Sequence, residues 1–517
     1  MKQIKILWVD DEIELLKPHL LFLRSKNYLV ETANNGNEAI EFVKKGKFDI
    51  ILLDENMPGM SGIETLNEIK KLNVSIPVVM ITKSEEEYIM DEAIGSKISD
   101  YLIKPVNPKQ ILLSIKKIID QKRLIIEKTT SDYQSEFQKI GIEINDSFTH
   151  KDWIDVYKKL VYWELELERN EGNAMEEVLK LQKSEANKAF SKFIKKNYVS
   201  WFSPKNEDKP LLSHNIFKQK IIPLLDKNEQ VVVIVIDNFR YDQWKYIQDE
   251  ISKYFNIYEE EIFYSILPTV TQYARNSLFA GLMPSEIEKL FPELWLNDED
   301  EGGKNLHEEE LLKKQLSRFG KKDNFYFDKI TNLKAGKRLI DNAAALSNHN
   351  LSVIIINFID MLSHARTDME MIKQLASNDA AYRSITLSWF IHSTLFELLK
   401  QLSQKKVKVV ITTDHGTIKV KNPTKIVGDK NTNTNLRYKQ GKNLSYNPKE
   451  VFEILNPAQA YLPSTHLSSS YTFALNDNFF AYPNNFNYYA NYYRDTFQHG
   501  GVSLEEMLIP FIVLSNK

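Results

Sequence analysis

Seven residues in the second half of the chain have the types and the spacing to hold two divalent cations: Asp237, Thr271, Asp360, His364, Asp414, His415 and His499. Asp237 closes the run VVVIVID, Asp360 closes VIIINFID with His364 four residues on, and Asp414 and His415 close VKVVITTDH. Hard carboxylates and imidazoles converging from several strands suit a hydrolytic metal centre. Thr271 lies in ILPTVTQYARNSLFAG, a turn leading into a helical pattern. A hydroxyl just before a helix start gains from the positive end of the dipole, and beside a cation it can lose its proton and attack phosphorus. Asp360 and His364 share one helical turn. Asp414 and His415 share a tight turn, and His499 precedes Gly500 and Gly501, which permit close backbone approach. Each signal alone is modest, and the weight rests on the ordered set.

A second set stands near the amino end. Asp10 and Asp11 follow the first apolar run, Asp54 ends a run in IILLDENMPGMSG, Thr82 ends VVMITK, and Lys104 precedes Pro105. Groups at the ends of successive strands share one sheet edge. Three carboxylates there attract Mg²⁺. With Lys104 they can stabilise charge on a phosphoryl group passing to Asp54.

The elements that must position these groups follow from periodicity. Short strands are expected at Ile4–Val9, Leu29–Thr32, Ile50–Leu53, Val78–Ile81 and Tyr101–Ile103, with helices between them, including one over Glu12–Lys26. A last helix starts near Pro108, with Ile111, Leu112, Ile115, Ile118 and Ile119 on one face. From about 120 to 225 strands disappear. Two long helical stretches, separated at Asn170–Asn173, carry charge runs expected as solvated faces. Beyond 226 strand and helix alternate again, closing with IPFIVLS. The polar stretch 419–447 is expected as a long mobile loop. Its basic residues, Arg437, Lys439 and Lys442 first among them, suggest a lid over an anionic pocket. Arg275, one turn after Thr271, is a further candidate phosphate contact. The expected domains are thus 1–120, 121–225 and 226–517.

Composition bounds the rest. A chain of 517 residues splits into several domains. Its net charge of −3 gives no global attraction to nucleic acid or anionic membrane, so any phosphate-binding surface is local. Without cysteine there is no disulfide, no cysteine–zinc site and no thiol nucleophile. The start MKQIKILWVDDE lacks signal-peptide form, and no run approaches the roughly 18 apolar residues of a membrane span. A soluble, cytoplasmic protein is expected.

Residues 1 to about 120 resemble the receiver domain of two-component response regulators, on the acidic pair, the phosphoacceptor, the hydroxyl and the Lys-Pro in order. The resemblance implies phosphorylation of Asp54 by a cognate histidine kinase. It also implies Mg²⁺ on Asp10, Asp11, Asp54 and the Asn56 carbonyl, switch positions at Thr82, Tyr101 and Lys104, and a cis Lys104–Pro105 bond. Lys83 stands where the family often has a small residue. Residues 230–515 resemble the alkaline phosphatase superfamily, and most closely its PglZ branch, through IDNFRYDQW, LPTVTQYARNSLFAG, DMLSH, TTDHG, RYKQGKNL and HGGVSLEEMLIP. That implies two Zn²⁺, with Mn²⁺ as the alternative. Asp237, Asp414 and His415 would hold one, with Thr271 at its open position as nucleophile, and Asp360, His364 and His499 the other. The superfamily's P-T-x-T pattern favours Thr271 over Thr269.

The whole arrangement resembles the PorX-type response regulators of type IX secretion. It implies an α/β multidomain chain: a CheY-like doubly wound receiver, an all-helical connector and an alkaline-phosphatase-like α/β domain. The implied activity is a phosphodiesterase acting on nucleotides, cyclic or short oligonucleotides among them, in a phosphorylation-promoted homodimer. The alternatives are a phosphomonoesterase, or a scaffold binding a secretion motor subunit or a sigma factor. No helix-turn-helix follows the receiver, so direct DNA binding is not expected.

Overall fold

The computed structural model describes residues 3–73, 76–83, 98–169, 175–298, 300, 302–321, 324–346, 348–368, 374–429, 432–464, 466 and 468–517. The chain forms two compact units, Met1–Asp132 and Tyr133–Lys517.

In the first unit strands β1 (Lys5–Val9), β2 (Leu29–Ala33), β3 (Ile50–Asp54), β4 (Val78–Thr82) and β5 (Asp100–Ile103) make a parallel sheet in the order β2-β1-β3-β4-β5. Successive side chains of a strand face opposite ways. Ile6, Trp8, Ile50, Leu52, Val79 and Ile81 accordingly pack with Ile111 and Ile115 on one face. Leu7, Val9, Ile51, Leu53, Val78 and Met80 pack with Ala39, Leu66 and Ile69 on the other. Two helices start on side-chain caps: Asn35 accepts the Glu38 N–H, and Ser61 forms a reciprocal box with Glu64. The expected Glu12–Lys26 helix divides into a 3-10 turn, Ile13–Leu16, and a helix, Lys17–Ser25, entered at Pro18. The helix expected between β4 and β5 falls at 84–97, outside the described residues. The final helix runs over Pro108–Asp146.

The second unit is built on strands β6 (Val231–Ile236), β7 (Phe255–Tyr264), β8 (Phe325–Ile330), β9 (Leu351–Ile356) and β10 (Lys408–Thr412). After them come β11 (Ile418–Lys419), β12 (Asn422–Val427), β13 (Tyr438–Gly441), β14 (Ser445–Tyr446), β15 (Val451–Ile454), β16 (Ser470–Ala474), β17 (Asn478–Ala481), β18 (Phe497–Gln498) and β19 (Leu508–Asn516). The main sheet has the order β7-β19-β10-β6-β9-β8. Strands β10, β6, β9 and β8 run parallel, and β19 and β7 pair antiparallel at one side. The unbroken β-branched run of β6 is buried at every position, as a strand covered on both faces requires.

Two expectations change here. The helices His150–Glu168 and Met175–Asn197 form, but their aromatic residues Trp153, Tyr157 and Phe190 share one core with the main sheet. Their charges are not all solvated. Glu164 and Lys183 are about one-sixth exposed and pair at 2.6 Å, and Arg383 joins Glu164 at 3.0 Å. Segment 419–447 is no open loop, because β11 to β14 fold within it; Lys430 and the expected break at Asn170–Asn173 lie outside the described residues. No described helix is long and apolar enough to cross a membrane.

Candidate metal centres

Strands β10, β6 and β9 are neighbours and parallel, so their carboxyl ends meet at one sheet edge. In α/β sheets that edge opens a crevice for ligands. Asp237 follows β6 directly, Asp414 and His415 follow β10, and Asp360 opens the helix Phe358–Asp368 after β9. Thr271 begins the helix Thr271–Ala280, and His499 follows β18. Ligand atoms of Asp237, Asp414 and His415 lie within 4.8 Å of one another, and those of Asp360, His364 and His499 do the same. Between the groups the His415 and His499 rings stack with centroids 4.4 Å apart. Thr271 Oγ1 is 3.2 Å from His415 Nε2 and 3.4 Å from Asp237 Oδ1.

The electrostatics suit cations. His415 Nδ1 lies 3.1 Å from the Gly416 carbonyl, and His499 Nδ1 lies 3.3 Å from the Thr269 carbonyl. A carbonyl only accepts, so each Nδ1 carries the proton and each Nε2 keeps its lone pair. Burial pushes both imidazoles down to about 4, which leaves them neutral and ready to ligate. Asp414 is pushed up to about 7 by burial and by the charge of Asp237, and its Oδ2 has no hydrogen-bond partner. Burial also raises Asp360, with Asp237 adding to the effect. Burial would raise Asp237 too, but the Arg275 guanidinium outweighs it and holds the carboxyl below the usual range. Crowded acids, neutral imidazoles and an orphaned carboxylate oxygen together fit two bound cations. The donor set is nitrogen and oxygen only, which suits zinc or manganese.

Three of the four expected substrate contacts need correction. Arg275 is fully buried, and its guanidinium is committed to Asp237 at 2.8 Å and Glu308 at 2.6 Å. It therefore braces Asp237 rather than meeting a phosphate. Arg437 is buried against Glu506, at 3.1 and 2.5 Å, and against the Asn478 carbonyl. Lys439 is 1% exposed, donates to the Asn433 carbonyl at 2.7 Å, and is pushed down to about 7 by burial. A lid cannot be made of side chains locked inside the fold. Lys442 is half-buried, one residue past β13. Glu506 and Asn238 are the site-supporting residues that sequence reasoning passed over, although both lie within the motifs HGGVSLEEMLIP and IDNFRYDQW. Glu506 accepts from Arg437 and from the Gly501 N–H at 2.9 Å, fixing the turn after His499.

In the first unit, ligand atoms of Asp10, Asp11 and Asp54 lie within 4.8 Å of one another. Lys104 Nζ reaches Asp10 at 2.9 Å and Asp54 at 3.0 Å. Burial pushes Asp54 up to about 6, against the Lys104 hydrogen bond. The same burial opposes the Lys104 charge, but Asp10 and Asp54 win and raise its pKa. Thr82 is buried at the end of β4, Tyr101 is half-buried in β5, and Asn56 is exposed two residues past Asp54. The Lys104–Pro105 bond is cis. This is a carboxylate pocket that fits Mg²⁺.

Three family models match the chain. The family model described as "BREX system PglZ alkaline phosphatase-like domain" matches residues 216–514. The "PorX response regulator linker domain" matches 123–202, and the "Response regulator receiver domain" matches 6–116. The transcriptional regulatory protein ZraR of Klebsiella oxytoca is 38% identical over 140 residues, 27% of this chain and 32% of that protein. ResD of Bacillus subtilis is 34% identical over 117 residues, 23% of this chain and 48% of that protein. The chain thus spans about a third to a half of these curated relatives. The chemotaxis protein CheY4 of Vibrio cholerae, a solved structure, is 30% identical with a TM-score of 0.22, covering 23% of this chain and 99% of its own. The chain belongs to the PglZ alkaline phosphatase-like family and carries that domain in the PorX-type order, behind a response regulator receiver and a PorX linker.

Proposed function

We propose that the chain is a cytoplasmic two-component response regulator whose output is a zinc-dependent phosphodiesterase acting on nucleotides, cyclic or short oligonucleotides among them, in the control of type IX secretion. The observation that carries this reading is the place of Thr271: a hydroxyl at a helix start, 3.2 Å from His415 Nε2, inside paired acid–imidazole clusters. Asp237, Asp414 and His415 would hold one zinc, and Asp360, His364 and His499 the other. Bound there, the ions supply Lewis-acid charge to the phosphoryl group. Thr271 Oγ1 presents the nucleophile, and the helix dipole behind it favours negative charge at that oxygen. Arg275 holds Asp237 in its ligating pose. The nucleotide class comes from the PorX-type resemblance.

Hydrolysis of bis(p-nitrophenyl) phosphate against p-nitrophenyl phosphate, with and without added zinc, tests the activity. Zinc-stimulated turnover of the diester is expected. Preference for the monoester would replace this reading with a phosphomonoesterase.

Control would begin at Asp54, which takes its phosphoryl group from a histidine kinase with Mg²⁺ on Asp10, Asp11, Asp54 and the Asn56 carbonyl. Lys104 would neutralise the added charge. Thr82 and Tyr101 would then shift, promoting a homodimer.

A further inference from the structure

Asn238 follows Asp237 at the end of β6, the middle one of the three strands that feed the site. Its φ is 63°, in the left-handed region where asparagine and glycine are at ease and most residues are strained. The turned backbone sends its N–H to Asp414 Oδ1 at 3.4 Å. Its side-chain amide donates to Asp360 Oδ1 at 3.4 Å and to Ser363 Oγ at 3.1 Å. One fully buried residue thus touches a carboxylate of each cluster. Only the donor half of the amide is used within the protein: Asn238 Oδ1 is buried without a hydrogen-bond partner. A donor that fixes a ligating carboxylate sets the ligand's orientation and so the affinity for the ion.

We propose that Asn238 is a positioning residue that ties the two cation sites together, its main chain holding Asp414 and its side chain holding Asp360. The inference rests on the two-cation reading above. Glycine keeps both the backbone conformation and the N–H, so Asn238→Gly removes only the side-chain contacts, to Asp360 and to Ser363. A residue present only for its backbone would be silent to that change. Asn238→Asp keeps the shape but loses the donor.

The test titrates Mn²⁺ by calorimetry into the full chain stripped of metal, as wild type, Asn238→Gly and Asn238→Asp. Asp360→Asn identifies which step belongs to the Asp360 group. Wild type is expected to bind two ions. Asn238→Gly is expected to weaken the Asp360 step about 10- to 100-fold while the Asp414 step stays in place. Asn238→Asp is expected to alter the Asp360 step as well, because its donor is gone. Two wild-type steps with neither moved in the glycine variant, or with both weakened alike, would overturn the strut while leaving the two-cation reading intact. A wild-type chain that takes up fewer than two ions would overturn both.

Discussion

Thr269 and Thr271 stand two residues apart and have different surroundings. Thr269 is fully buried: its hydroxyl donates to the Gly501 carbonyl at 3.0 Å and accepts the Gly500 N–H at 3.0 Å. Its own carbonyl faces His499 Nδ1. It latches the turn that presents His499, whereas Thr271 lies beside Asp237 and His415. Thr269→Ala is therefore expected to slow diester hydrolysis by loosening His499, and excess zinc should restore most of the rate. Thr271→Ala should lose on the order of a thousandfold or more at any zinc level. Rate measured against zinc concentration checks both, and a zinc-rescued Thr271→Ala would reverse the roles. Asp237, Asp360, Asp414 and His415 were legible as candidate ligands because they close apolar runs, whereas Thr271, His364 and His499 stood out only as members of the ordered set. Gly500 was legible too: its φ of 123° needs glycine, and a Cβ there would meet Asn435 Oδ1 at 2.8 Å. The partners of Arg275 and Arg437 were not. Glu308 lies 33 residues beyond Arg275 and Glu506 lies 69 beyond Arg437, and no local spacing joins them.

The helices His150–Glu168 and Met175–Asn197 were readable as helices from their spacing, and the cap at Thr149 with Asp152 matches a capping box. Their docking was not readable, since it depends on residues far along the chain. Arg383, 1% exposed, donates to Asp242 at 2.7 Å, to Glu164 at 3.0 Å and to Glu168. Asn187 spans Glu505 Oε2 at 3.0 Å and the Leu504 N–H at 2.8 Å, next to the turn fixed by Glu506. The helices are thus keyed through ion pairs to Arg383, and through the Asn187 amide to the segment just after His499. Removing one partner of a buried network leaves uncompensated charge. Arg383→Met is expected to cost about 3–5 kcal/mol in urea unfolding. A loss below about 1 kcal/mol would mean that the pairs behave as exposed ones do. Segment 419–447 misled because Asn, Lys and Gly describe a loop by composition, while β12 and β13 gain their order from β17 and β16 further on.

At the scale of the whole molecule, the proposed function joins two phosphoryl-moving chemistries in one chain, each at the carboxyl edge of its own parallel strands. The five strand runs of the receiver were legible in the sequence, whereas the order β2-β1-β3-β4-β5 was not, because it depends on which distant strands pair. The proposed control makes a molecular prediction: beryllium fluoride with Mg²⁺ should raise the dimer fraction in sedimentation, and an unchanged monomer fraction would count against it. The claim on which the rest depends is that six residues, three carboxylates and three imidazoles, hold a pair of cations serving Thr271. Metal content of the purified chain by mass spectrometry, taken together with diester hydrolysis, tests it most directly. The account predicts two zinc or manganese ions per chain in wild type and in Thr271→Ala, with turnover lost only in the variant. A wild-type chain that refuses both metals, or a Thr271→Ala chain that turns over the diester at the full rate, would contradict it.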